Sequence, residues 1–198
     1  MNDILVLYYS RNGATESLAR EICHGVDAVE GAAARLRTVP AVSTTVEASD
    51  DAVPDSGPPY ASIDDLHECA GLLLGSPTRF GNMAAALKYF LDGTSAEWLS
   101  GTLAGKPAGL FTSTSTAHGG QESTLLSMAL PLLHHGMLIV GLPFTEEALS
   151  TTTTGGSPYG ATHVSWNRPG DRLSPEEEHL ARTLGRRVAD IAVRLDRP

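Results

Sequence analysis

The sequence predicts a doubly wound α/β domain in which a parallel five-stranded sheet carries helices on both faces. Short apolar runs alternate along the chain with segments that have the spacing of amphipathic helices. The loops after three of these runs are rich in small and polar residues. Strands that alternate with helices pair in parallel, because each helix returns the chain to the same end of the sheet. The length of 198 residues suits a single domain over residues 1–198.

The predicted elements follow in order from these patterns. Short apolar runs predict strands over residues 4–9, 33–39, 71–75, 108–114 and 137–140. Helical spacing predicts helices over residues 15–25, 62–69, 82–92, 121–134 and 174–195. Arg35 and Arg37 indicate that the second strand is half exposed. The last helix has the clearest start, because Ser174 is a good N-cap, Pro175 fits the first turn and Glu177 completes a capping box.

Two stretches are predicted as loops. Residues 40–60 are rich in Ser, Thr, Asp and Pro, which is typical of a solvated surface tether. Residues 142–172 are rich in Gly, Thr and Pro. A structureless loop of that length inside a compact domain is unusual and is often functional.

Composition excludes several classes of partner. The net charge of −9 argues against nucleic acid and against an anionic membrane surface. No apolar run is long enough to insert into a membrane, and no basic segment marks a signal peptide. Cys23 and Cys69 have the apolar surroundings of reduced packing residues, so we expect a cytoplasmic protein. No spacing of Cys or His resembles a metal site.

The loop after the first strand is suited to a phosphate. It consists of Ser10, Arg11, Asn12, Gly13, Ala14 and Thr15. Gly13 can adopt a positive φ, so that successive N–H groups turn inward at the N-terminus of the next helix. The loop lacks the lysine of nucleotide triphosphatases and the G-x-G-x-x-G of dinucleotide sites, and it suits a terminal monophosphate such as that of FMN. An ordinary strand-to-helix turn remains the alternative.

Two further loops follow neighbouring strands of the predicted sheet. The loop after the third strand contains Pro77, Thr78, Arg79, Phe80, Gly81 and Asn82. The loop after the fourth strand contains Ser113, Thr114, Ser115, Thr116, Ala117 and His118. Each alone can be a solvent-exposed connection. Ligands of parallel sheets bind at the carboxyl ends of the strands, so three such loops together favour a site for a flat, phosphate-bearing ligand.

Two more residues have both a structural and a functional interpretation. His134 can be a helix-end charge, and Trp98 can be a packing residue.

Four motifs of the sequence span residues 75–83, 119–122, 134–137 and 156–161. In their residues and in their order they resemble one family, the WrbA-type NAD(P)H:quinone oxidoreductases. The resemblance implies a flavodoxin-like fold, FMN as cofactor and a homotetramer. It also implies that the three loops hold FMN, that His134 faces the flavin, and that Trp98 lines the substrate face from a neighbouring subunit.

The long segment 142–172 and the implied substrate-face position of Trp98 favour an enzyme, although the acidic charge also suits an electron carrier. We expect NAD(P)H to reduce FMN and FMN to reduce a quinone in a ping-pong reaction, with His134 next to the flavin loops and in contact with the quinone. We expect the side chain of His135 to point elsewhere. The alternative is a flavodoxin-type electron carrier or a non-catalytic interaction module. The chain departs from the family's usual residues at Arg11 and Asn12, and at Ser115 and His118.

Overall fold

The sheet of this protein is parallel throughout and has helices on both faces. The computed structural model describes residues 1–42, 57–166 and 172–196. Most of the predicted surface tether, residues 43–56, lies outside the described residues. The strands are β1 (Asn2–Tyr8), β2 (Ala32–Thr38), β3 (Gly71–Pro77), β4 (Pro107–Thr114), β5 (Leu138–Val140) and β6 (Ala161–Val164). Their order is β2-β1-β3-β4-β5, with β6 also paired to β4, and this 2-1-3-4-5 order confirms the predicted flavodoxin-like fold.

The helices connect these strands and cover the sheet. They are α1 (Ala14–Asp27), α2 (Ile63–Glu68), α3 (Ala85–Asp92), α4 (Ser95–Ser100), α5 (Gln121–His134), α6 (Ala148–Thr151) and α7 (Pro175–Leu195). α7 begins with the predicted capping box of Ser174 and Glu177. α4 was absent from the sequence-based prediction.

The alternation of side chains along β1 divides the core into two layers. Ile4 and Val6 pack with the apolar faces of α1 and α7. Leu5 and Leu7 point to the other face and pack with α2, α3 and α5. Both faces of the central strands are therefore buried, which explains why these strands are continuous apolar runs in the sequence.

The prediction of a structureless loop over residues 142–172 was wrong in part. β5 pairs with the first residues of β4, from Pro107 to Gly109, whereas β6 pairs with its last four, from Phe111 to Thr114. The fifth position of the sheet is thus occupied by two strands, and residues 141–160 form an excursion between them that includes α6. Residues 167–171 lie outside the described part of the chain.

β6 escaped prediction because its sequence, Ala-Thr-His-Val, is half polar although every residue is buried. The hydroxyl of Thr162 accepts from the N–H of Gly156 at 2.6 Å. The Nδ1 of His163 donates to the Glu177 carboxylate at 2.8 Å. Buried polar groups with such partners are tolerated inside a fold, and a hydrophobicity pattern cannot recognise them.

Candidate functional site

One cleft lies at the carboxyl edge of the sheet, where the three predicted loops meet. It is lined by Ser10, Arg11, Asn12, Ala14, Thr15, Pro77, Thr78, Arg79, Ser113, Thr114, Ser115 and Ser165. All but Ser165 belong to the loops singled out from the sequence. Among the described residues no carboxylate lines this cleft, although the chain as a whole carries a net charge of −9. The lining therefore consists of hydroxyls, backbone groups and two guanidinium groups, which suits an anionic ligand.

The first loop has the geometry of an anion site. Gly13 is the N-cap of α1 with φ 87°, and its N–H donates to the Ser10 hydroxyl at 3.1 Å. The N–H groups of residues 14–16 have no partner among the described residues, as expected for the first turn of a helix. A Cβ built on Gly13 meets no atom within 4 Å, so the space beside the loop is open. The free N–H donors fit a phosphate monoester.

A hydroxyl pair joins this loop to the fourth strand. Thr15 and Ser113 lie with their oxygens 2.8 Å apart, and both side chains are buried. The two loops are thereby held at a fixed separation across the floor of the cleft.

The second loop turns sharply beside the cleft. Arg79 and Asn82 exchange backbone hydrogen bonds of 2.7 and 3.0 Å, and between them Phe80 and Gly81 have φ values of 54° and 77°. The Phe80 ring is fully exposed to solvent. An aromatic residue in the left-handed region is strained, and such strain is concentrated at functional sites.

The helix predicted over residues 82–92 begins later than expected, and Asn82 does not cap α3. Its side-chain oxygen accepts from the N–H of Met83 at 2.8 Å, and the N-cap position is Ala84. The hydroxyl of Ser76, at the end of β3, accepts from the N–H of Ala84 instead. Ser76 therefore supports this loop from beneath.

The third loop is anchored at its base and open at its tip. Thr124 donates to the carbonyl of Gly120 at 2.7 Å and lies 2.7 Å from the Thr78 hydroxyl, which joins the third loop to the second. Residues 116–118 are exposed and do not line the cleft. Phe80, Gly81 and Asn82 are likewise beside the cleft rather than within its lining.

The Glu177 carboxylate holds β6, the strand that ends just before Ser165. It accepts from the N–H groups of Gly155, Val164 and Ser174 and from His163. Burial alone would raise the pKa of Glu177, but the bond from His163 and those from the backbone outweigh it and keep the pKa below its ordinary value. The hydroxyl of Ser165 then donates to the carbonyl of Thr114 at 3.2 Å, next to the third loop.

His134 and Trp98 lie in a second pocket, at the opposite edge of the sheet. Both line it with Lys88, Leu91, Asp92, Thr94, Ser95, Pro131 and His135. α5 starts beside the cleft and ends at His134, and its 14 residues span about 20 Å. Within one chain, therefore, the expectation that His134 adjoins the three loops does not hold.

His135 is buried and hydrogen-bonded to Thr94, so its side chain points in a different direction from that of His134. His134 is the exposed member of the pair, whereas only 9% of His135 is exposed.

An exposed apolar surface surrounds the second pocket. On α5, the side chains of Leu126, Leu130 and Leu133 face solvent at the spacing of one helix face. Trp98 and Leu99 on α4 and Tyr89 on α3 are exposed as well. Several exposed apolar side chains on neighbouring helices favour an interaction surface.

The described residues include neither a candidate metal site nor a candidate membrane span. Among them, no group of three or more His, Cys, Asp or Glu side chains could hold a metal ion. Nor is any described helix long and apolar enough to span a membrane. Cys23 and Cys69 are free, and burial raises the pKa of both thiols, that of Cys23 to about 12.

Comparison with known proteins identifies relatives along the whole chain. The family model for NADPH-dependent FMN reductase matches residues 3–145. The NAD(P)H dehydrogenase (quinone) of Geobacter sulfurreducens is 44% identical over 203 residues, which cover 98% of this chain and 99% of that protein. The enzyme of the same name from Syntrophobacter fumaroxidans is 43% identical, with 98% of each chain covered.

Solved structures agree on the fold. A flavodoxin, WrbA-like protein from Agrobacterium tumefaciens aligns with a TM-score of 0.69 and 23% identity, covering 98% of this chain and 99% of that one. An archaeal flavodoxin aligns with a TM-score of 0.63 and 17% identity, covering 96% and 99%. The resemblance indicated by the four sequence motifs is thereby confirmed.

Proposed function

Because the chain belongs to the NADPH-dependent FMN reductase family, we propose that its cleft binds FMN and that it is an NAD(P)H:quinone oxidoreductase. The observation that carries this is identity above 40% with quinone dehydrogenases over the full length of both chains. The cleft supports it independently, because free backbone donors and hydroxyls are placed where a flavin phosphate would bind. When bound, FMN supplies hydride acceptance from NAD(P)H and two-electron transfer to a quinone.

The three loops have separate tasks in binding this cofactor. Residues 10–15 would hold the phosphate through the free N–H groups of α1 and the hydroxyls of Ser10 and Thr15. Thr78, Arg79 and residues 113–115 would lie along the flavin ring and donate to its polar edge. Donors held rigidly at that edge favour the negative charge that reduction places on the ring. Phe80 to Asn82 and residues 116–118 would border the ring rather than enclose the phosphate.

The substrate side of the site would be completed by a second copy of the chain. Trp98 and His134 share one pocket, but that pocket and the cleft lie at opposite edges of the sheet. Both residues can face a flavin only if they belong to a neighbouring subunit, and the exposed leucines of α5 provide an apolar surface for that association. The structure therefore supports association of copies, and we propose the homotetramer that the family resemblance implies. Leu130→Lys should dissociate it in light scattering with loss of quinone turnover, whereas a wild-type monomer with full activity would contradict this assembly.

The cytoplasm is the proposed location. Two free thiols with raised pKa values suit a reducing compartment, and nicotinamide cofactors are its soluble reductants. Cell fractionation with antibody detection would test this.

A visible spectrum with additions in sequence distinguishes the enzyme from an electron carrier. NADH added to the FMN-loaded protein should bleach the flavin band, and a benzoquinone added next should restore it through many turnovers. A carrier would stay oxidised with NADH alone, since it has no site for the nicotinamide. A protein that binds no FMN would be the non-catalytic module.

A further inference from the structure

A buried hydrogen bond joins the segments that carry Trp98 and His134. The hydroxyl of Thr94 donates to the carbonyl of Leu91 at 2.7 Å. Its single proton is thereby used, so the Nε2 of His135, 3.0 Å away, must be the donor in the bond between them. Thr94 is 1% exposed and His135 is 9% exposed, so water does not compete for this bond.

The same bond fixes the tautomer of His135. With the ring proton on Nε2, the Nδ1 atom is an unprotonated acceptor, and it is buried without a partner among the described residues. Burial lowers the pKa of His135, which keeps the ring neutral. Unpartnered buried nitrogens are rare in folded proteins, and the exceptions call for an explanation such as a task of the side chain in the site.

That task follows from what stands on either side of the bond. Thr94 is the N-cap residue of α4, and its carbonyl accepts from the N–H of Trp98 at 3.0 Å. His135 directly follows His134 and is the C-cap residue of α5. One hydrogen bond therefore sets the separation between the start of α4 and the end of α5, and with it the separation of the two side chains that flank the second pocket.

We propose that His135 is a positioning residue for the quinone pocket, and that it acts through Thr94 to fix the placement of Trp98 relative to His134. This rests on the proposed function, in which that pair faces the substrate. A displacement of the order of an ångström in such a pair can change a rate by about a hundredfold. The loops that would hold FMN lie at the other edge of the sheet and do not include Thr94 or His135, so loss of the bond should leave the FMN content unchanged.

Two pairs of variants test the bond in the FMN-loaded enzyme. His135→Leu and Thr94→Val remove it, whereas His135→Gln keeps an N–H donor at a similar distance and Thr94→Ser keeps the hydroxyl. The first pair should lower the kcat/KM for quinone by about tenfold to a hundredfold, with a higher KM and unchanged FMN content, and the second pair should restore it. Because both changes remove the same hydrogen bond, the double variant His135→Leu/Thr94→Val should reduce quinone no more slowly than the more impaired single variant.

Two measurements on the protein without FMN test the role of His135 independently of enzyme turnover. In a Trp166→Phe background, the emission of Trp98 should shift in the Leu and Val variants and return in the Gln and Ser variants. Nitrogen-15 spectra of the wild-type protein should show His135 protonated at Nε2, and a ring protonated at Nδ1 would overturn the inference.

A merely structural role would give a different set of results. The Leu and Val variants would lower the unfolding midpoint but leave the quinone KM of the folded enzyme and the Trp98 emission unchanged, which would also overturn the inference. If wild-type protein failed to reduce any quinone, the proposed function would be wrong. The emission and tautomer would still show whether His135 positions Trp98.

Discussion

Replacing Gly13 by valine removes a backbone conformation without creating a collision. Gly13 has φ 87°, and a Cβ built there meets nothing within 4 Å. The penalty is therefore that of a β-branched residue held in the left-handed region, about 1–3 kcal/mol. If the loop instead relaxed to a negative φ, the Gly13 N–H would leave the Ser10 hydroxyl and the free donors of α1 would turn away.

This free energy has to appear in one of two measurements. If the loop keeps its conformation without FMN, the free energy of unfolding of the apoprotein falls by about 1–3 kcal/mol. If the loop relaxes, FMN binding must restore the strained conformation, and the Kd for FMN rises. Since 1.4 kcal/mol corresponds to a factor of ten, a penalty of about 1–3 kcal/mol raises the Kd by about 5- to 140-fold. The loss in unfolding free energy and the loss in FMN-binding free energy should add up to the conformational penalty of the valine.

Urea unfolding of the apoprotein and fluorimetric titration with FMN, at one fixed chain concentration, measure the two parts. Gly13→Asn is the matched control, because asparagine adopts the left-handed region with much less strain. It should bind FMN nearly as the wild type does. If Gly13→Val left both the unfolding free energy and the FMN affinity unchanged, the assignment of this loop to the phosphate would be refuted.

The other predictions concern the core, the buried carboxylate and the proposed substrate contact. Gly75→Ala should lower the free energy of unfolding in urea by about 1–3 kcal/mol, because its Cβ would lie 2.1 Å from the buried ring of Phe111; an unchanged midpoint would show that the ring moves aside freely. Glu177→Gln should lower the free energy of unfolding by about 1.5–3 kcal/mol at pH 7, because it weakens the hydrogen bond to His163. Since the folded pKa of Glu177 lies below its ordinary value of 4.5, the advantage of the wild type over the Gln variant should be complete above pH 4.5 and shrink as the pH falls through the folded pKa; a difference independent of pH would contradict this. His134→Ala should retain FMN and accept hydride, but reoxidation of the flavin by quinone should slow by up to about a hundredfold in stopped-flow traces, and an unchanged rate would leave it a helix-end residue.

The central strands and the cleft were predictable because their signals are local. β1, β3 and β4 are buried on both faces, so their apolar runs are continuous and their ends lie close to those predicted. The parallel arrangement then brings the three polar loops to one edge of the sheet, so that Ser10 and Ser113 line one cleft although they are 103 positions apart in the chain.

The placement of His134 was misjudged although the sequence contained the signal. A helix over residues 121–134 that starts at the carboxyl edge of the sheet must end at the opposite edge. Ser165 could not be found from the sequence, because its position depends on β6. That strand is recognisable only once Glu177 is known to satisfy its buried partners.

Because the fifth position of the sheet is shared by β5 and β6, the excursion between them can change in length without changing the rest of the sheet. Val140 lies opposite Gly109 and Ala161 lies opposite Phe111, so the excursion leaves and re-enters the sheet with only Leu110 between the two pairings. Closing a loop of about 20 residues costs about 2.7 kcal/mol of chain entropy, and doubling its length adds only about 0.6 kcal/mol. Insertions and deletions in this excursion can therefore accumulate during evolution, while the register of β4 and the residues at the mouth of the cleft stay where they are.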